Sequence, residues 1–243
     1  MAYLSWNQKT IVDFSNENVN SLYNHGFVFT RVGKGKVNQT RSLRIDLSKF
    51  ELSSENRRVL RKTENVTLEA LPLPYVDYTW HIGKLAKDFY DTKFGDRTFT
   101  ANKIKELMTD PEKRNFNVVL VYWTSPPTPL LEERGALNPS PLGGGIKGEG
   151  SNVIGYAICY QNSKILHYCY PFYSLITTHY SLSNTGLGMM LKALVLAKEQ
   201  NKKYFYLGSF QRPTDTYKLQ FTGLEWWDGQ EWKKDLEELK NLP

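Results

Sequence analysis

Residues 183 to 223 read SNTGLGMMLKALVLAKEQNKKYFYLGSFQRPTDTYKLQFTG, and this stretch decides the fold. A turn of small residues, Ser183-Asn184-Thr185-Gly186-Leu187-Gly188, opens a run in which Leu187, Met190, Leu191, Leu194 and Val195 recur at helical spacing. Lys192, Lys198 and Glu199 fall on the opposite side, so the run predicts an amphipathic helix. Lys203-Tyr204-Phe205-Tyr206-Leu207 then predicts a strand, and Tyr217 to Phe221 predicts another. Amides at the start of a helix point outward into positive potential, which makes Asn184, Gly186 and Gly188 candidates for holding an anionic or carbonyl-bearing ligand.

Working outward from the N-terminal side, Lys164 to Tyr170 predicts a strand entered through the turn Asn162-Ser163. Val153 to Tyr160 and Phe116 to Trp123 are dense β-branched and aromatic runs that predict neighbouring strands. Between those two lies the stretch 124–150, which holds five of the eleven prolines and no hydrophobic period, and it predicts a disordered Pro/Gly-rich insert. Ahead of them, Trp80 to Phe94 places Ile82, Leu85, Phe89 and Tyr90 at helical spacing. Thr100 caps a second helix through Ile104, Leu107 and Met108, which Asp110-Pro111 stops.

Pro72 and Pro74 mark an expected division near residue 75, giving a basic β-rich region over 1–75 and a larger α+β domain over 76–243. In the first region, Phe27 to Val32 and Arg41 to Leu47 predict strands, the second half-buried because apolar and charged residues alternate. Ser53 or Ser54 caps a helix through Lys62, with Glu55 in its first turn and cations in its last. Arg57, Arg58 and Arg61 on that helix, with Arg44 on the preceding strand, are candidate phosphate contacts. Beyond residue 223, Trp226, Trp227 and Trp232 predict packing, and a charged helix ends the chain.

The 31 Lys plus Arg against 25 Asp plus Glu give a net charge of +6, which permits a polyanionic partner without requiring one. Two cysteines, Cys159 and Cys169, exclude a disulfide framework and a Cys-ligated zinc site, so no metal is expected. With no leader-like start and no apolar run long enough to cross a bilayer, the expectation is a cytoplasmic protein without a membrane partner.

The order helix, helix, strand, strand, strand, loop, helix, strand, strand resembles the GNAT acyltransferase fold, a mixed and mostly antiparallel sheet flanked by helices. Ser183-x-x-Gly186-x-Gly188 resembles that superfamily's pyrophosphate loop, Gln/Arg-x-x-Gly-x-Gly/Ala, with Ser183 in the place of Gln or Arg. Two further stretches resemble the arginyl-tRNA–protein transferases and their bacterial leucyl counterparts. One is Arg41 to Phe50 followed by Ser53 to Lys62; the other is Tyr204-Phe205-Tyr206-Leu207-Gly208 with Tyr217-Lys218-Leu219-Gln220-Phe221. The family's cysteine cluster is replaced by Val37-Asn38-Gln39-Thr40, and its Tyr-Asp-Pro-Asp-Tyr segment by Cys169-Tyr170-Pro171-Phe172-Tyr173.

That resemblance implies transfer of an amino acid, of the Arg or Leu class, from aminoacyl-tRNA to the N-terminal α-amine of an acceptor protein, with acidic N-termini as candidate acceptors. Aminoacyl-tRNA is then a co-substrate and no further cofactor is implied. Tyr217, Lys218 and Gln220 become candidate catalytic residues; Gly208 joins Asn184, Gly186, Gly188, Arg44, Arg57, Arg58 and Arg61 as candidates for binding tRNA or substrate. With the family's acids replaced, the amine's proton falls to another group, such as Asp215 or His179, or the acceptor differs. Three alternatives stay open: a GNAT acyltransferase using acetyl-coenzyme A, an enzyme adding amino acids to peptidoglycan precursors, and a non-catalytic tRNA- or N-terminus-binding relative.

Overall fold

The chain is described by a computed structural model over residues 4–124, 152–175 and 184–241, apart from the side chains of 213 and 214. The region before residue 75 contributes β1 (Asn7–Thr10), α1 (Asn16–Asn24), β2 (Phe27–Phe29), β3 (Lys36–Gln39), β4 (Ser42–Asp46), α2 (Ser54–Lys62) and β5 (Val66–Pro72). Then come α3 (Trp80–Phe94), α4 (Ala101–Thr109), β6 (Val118–Thr124), β7 (Asn152–Gln161), β8 (Ile165–Tyr173), α5 (Thr185–Glu199) and β9 (Tyr204–Ser209). A 3₁₀ helix (Pro213–Gln220), β10 (Leu224–Trp227), β11 (Trp232–Lys233) and α6 (Leu236–Lys240) complete the described elements.

Local chemistry sets several of these boundaries. Ser53 accepts a hydrogen bond from the Asn56 amide while Asn56 Oδ1 accepts from the Ser53 amide, a reciprocal cap that starts α2. The Thr100 hydroxyl accepts from the Lys103 amide and starts α4. Asn162 Oδ1 accepts from the amides of Lys164 and Ile165, closing the turn between β7 and β8.

Eight strands form one sheet in the order β11-β10-β4-β9-β8-β7-β6-β5, and β1, β3 and β2 form a small separate sheet. Strands from both sides of residue 75 share the large sheet. All neighbours in it are antiparallel except β8 and β9, so the architecture is a mixed α+β sheet, mostly antiparallel and flanked by helices.

Both sheet faces are covered. Along β6, Val118, Leu120 and Tyr122 enter a core shared with α2, α5 and α6, whereas Val119 and Val121 enter a second core shared with α1, α3, α4 and the small sheet. On α5 the buried set is broader than the predicted stripe: Met189, Ala193 and Ala197 join Met190, Leu191 and Leu194, and Val195 is only half-buried.

Two sequence expectations are corrected here. All five residues of β4, Arg44 and Asp46 included, are buried, because the strand lies between β10 and β9 with both faces covered. The segment expected as a strand from Tyr217 to Phe221 is instead the end of the 3₁₀ helix. Pro213 lies at its start with φ fixed and no amide hydrogen. The Asp215 carboxylate then accepts from the amides of Gln211 and Arg212 at 3.0 and 3.2 Å, drawing the backbone into a coil. The expectations for Ser183, for His179 and for the insert beyond Thr124 lie outside the described residues.

Candidate functional site

The parallel pair β8 and β9 stays together for only three residues, Ile165 opposite Tyr204, Leu166 opposite Phe205 and His167 opposite Tyr206. Beyond His167 strand β8 pairs with β7 alone, and beyond Tyr206 strand β9 pairs with β4 alone. A register irregularity against β4 falls at this point, between Leu43 and Arg44, and Gly208 takes φ +74. The sheet therefore splits at the C-terminal ends of its parallel strands. Helix α5 begins beside one wall of the split and the 3₁₀ helix follows the other.

His167 lies at the vertex. It is 2% exposed, and its Nδ1 is 2.9 Å from the Tyr23 hydroxyl. That hydroxyl accepts from the Phe29 amide, and burial raises its pKa well above the ordinary value, so it keeps its proton and donates it to Nδ1. The imidazole proton is thereby placed on Nε2. Burial, helped by the nearby Lys218 cation, lowers the His167 pKa to about 3 and keeps the ring neutral. Nε2 lies 3.8 Å from where a side-chain carbon on Gly208 would stand, and it makes no hydrogen bond to a described residue.

Lys218 lies beside this vertex with its side chain 12% exposed. Its Nζ donates to the Ser209 carbonyl at 2.8 Å and lies 3.7 Å from Asp215 Oδ1. Burial is the largest influence and lowers its pKa, with Asp215 opposing and Arg212 assisting. Tyr217 is 47% exposed, and the Arg212 guanidinium lies 5.0 Å from the ring centre of Phe94 at the end of α3. Gln220 is exposed and bonds its own turn, Nε2 donating to the Tyr217 carbonyl at 2.6 Å.

The glycine turn divides its duties. Asn184 takes the left-handed conformation and starts α5 without a side-chain cap. Gly186 is packed under Tyr173, whose hydroxyl stands 2.9 Å from where a Cβ would be. The Gly188 amide donates to the Asn184 carbonyl at 2.7 Å, and a Cβ there would meet Thr63 at 2.6 Å. Gly188 thus seats α5 against the end of α2, and its amide is committed within the helix.

Arg44 corrects another expectation. It is not placed for a phosphate: its Nε and Nη2 donate to Glu225 Oε2 at 2.9 and 2.8 Å, both residues are buried, and Tyr204 and Trp232 sandwich the guanidinium at 4.0 and 3.9 Å. Arg57, Arg58 and Arg61 are all exposed on α2. Arg58 is held in a two-bond pair with Glu55, at 2.7 Å for each bond. Thr63 touches Gly188 and the Phe50 carbonyl accepts from Lys198, so α2 runs antiparallel to α5 and brings Arg61 toward the helix start near the split.

Lys218, Tyr217, Gly208 and Gly186 are therefore gathered around the split, while Arg44 and Gly188 are structural. His167 was not singled out from sequence. A histidine in an apolar run carries no local signal, and its partner Tyr23 lies 144 residues away. Among the described residues no group of three or more His, Cys, Asp or Glu is placed to hold a metal ion, and no helix is long and apolar enough to cross a membrane.

No protein-family model and no curated protein matches the chain. Among solved structures it is similar to L-PGS from Bacillus licheniformis, with 12% identity over 81% of this chain and 52% of that one and a TM-score of 0.43. It is also similar to the C-terminal domain of a protein described as a lysylphosphatidylglycerol synthetase from Agrobacterium fabrum, with 13% identity, coverage of 84% and 54%, and a TM-score of 0.44. The chain spans about half the length of each.

Proposed function

We propose that this chain is a GNAT-like aminoacyltransferase that moves an amino acid from the 3′ ester of an aminoacyl-tRNA to an amine, the N-terminal α-amine of a protein. The observation that carries the reading is the split between β8 and β9, which opens beside the start of α5 and beside the Lys218–Asp215 pair. An ester in the split is attacked by the amine, the bond from carbonyl carbon to ribose oxygen breaks, and the departing oxygen takes a proton. The ester is already activated, so holding the two reactants in line supplies much of the acceleration. Lys218, its pKa lowered by burial, is the group placed to relay the amine's proton. Arg57 and Arg61 face outward on α2 for the phosphates of the acceptor stem.

Incubation with labelled aminoacyl-tRNA and peptides differing only in their first residue tests the reading. Label passing to peptides, those beginning with Asp or Glu first, supports it. Binding of tRNA without transfer would leave a binding module, and stabilisation by acetyl-coenzyme A alone would replace the donor. Arg57→Ala and Arg61→Ala should each weaken tRNA binding and reduce its salt slope by about 1.

A further inference from the structure

We propose that His167 donates its Nε2–H to the carbonyl oxygen of the acyl group during transfer, and that Tyr23 is the positioning residue that fixes the proton on that nitrogen. The assignment rests on the aminoacyl-transfer reading and adds to it a residue from the vertex of the split. Three observations carry it. His167 is the last residue of β8 paired to β9, so its ring sits where the strands part. Its Nδ1 is engaged by Tyr23, which is itself held by the Phe29 amide. Its Nε2 makes no hydrogen bond to a described residue and faces the space left by the missing side chain of Gly208.

The Nε2–H is not one of the buried orphan donors; it keeps a small solvent contact where the strands part. A carbonyl oxygen seated where β8 and β9 part replaces that solvent as the acceptor of the Nε2–H. A neutral imidazole suits this task better than a charged one. It is a fixed dipole in a water-poor site, and it neither repels an incoming ammonium nor gives up its proton to bulk base. Charge that grows on the carbonyl oxygen as the amine adds is then met by an oriented N–H. It disperses again when the ribose oxygen leaves, and His167 is unchanged over the cycle.

Isotope-edited NMR of the imidazole nitrogens in the intact chain reads the first half of the proposal without any substrate. The expected pattern is neutral, with hydrogen on Nε2 and a bare Nδ1. Tyr23→Phe should shift population toward the other tautomer. Titration with an adenosine carrying its 3′-aminoacyl group through an amide should then move the Nε2–H resonance. In transfer assays His167→Leu should lower kcat about 10²–10³-fold with little change in KM, whereas His167→Gln, which keeps an N–H near the same place, should recover most of the rate. An imidazolium, a hydrogen on Nδ1, a bound analogue that leaves Nε2–H unmoved, or an unchanged kcat in His167→Leu would each overturn the proposal. Wild-type protein that neither binds the analogue nor transfers label would instead overturn the aminoacyl reading, and the carbonyl assigned to His167 with it.

Discussion

Arg44 shows how a single residue's meaning depends on a partner the local sequence does not reveal. Its alternating neighbours read as a half-buried strand with Arg44 free for a phosphate, yet Glu225, 181 residues away, faces it in the adjacent strand and pairs the charge. Removing Arg44 leaves the Glu225 carboxylate buried with only the longer Lys49 contact at 3.8 Å, so Arg44→Ala should cost about 3 kcal/mol in urea unfolding. Replacing both by Met should cost much less, and equal losses from single and double variants would contradict the pairing. His167 gives a pH signature of its own. Its folded pKa of about 3 lies below the ordinary 6.5, so the unfolded chain takes up the proton first as pH falls. This contribution to stability is complete above about 6.5 and is lost toward about 3; His167→Gln should flatten that part of the curve, measured by denaturant midpoints at several pH values.

Elements governed by their own sequence were legible, and those governed by distant contacts were not. The caps at Ser53 and Thr100, the turn at Asn162 and the apolar repeat of α5 are chemistry within a few residues, and each element begins where that chemistry lies. Ser53→Ala should therefore cost about 1 kcal/mol and lower helix content by circular dichroism. Tyr217 to Phe221 has the composition of a strand, but Pro213 and the Asp215 carboxylate override that propensity. Asp215→Ala should release the coil and free Lys218 from its ion pair. The expected result is faster proteolysis near residue 215 with the rest of the chain still resistant.

For the whole molecule, the order from α3 to β9 was readable because each long run has its own period, whereas α1, β5 and the coil at Pro213–Gln220 were not. The site was only half readable because it exists where strands part. Residues such as Lys218 stood out by motif; His167 acquires its place only when Tyr23 from α1 meets β8. The antiparallel register of β6 and β7 brings Thr124 opposite Asn152, so a short Asn-Gly turn can replace residues 125–151. That exchange should leave the thermal midpoint within a few degrees of the parent, and collapse of the midpoint would give the segment a structural role.

The brief contact between β8 and β9 has a mechanical corollary. Four strands lie on each side of that seam, and a ladder of three residue pairs, with the Lys164 carbonyl accepting from the Lys203 and Tyr204 amides at its start, stitches the halves together. Amide hydrogens along the seam should exchange with solvent sooner than those deep in β6 or β7, and a ligand lodged in the opening would act as mortar, slowing exchange on both banks at once.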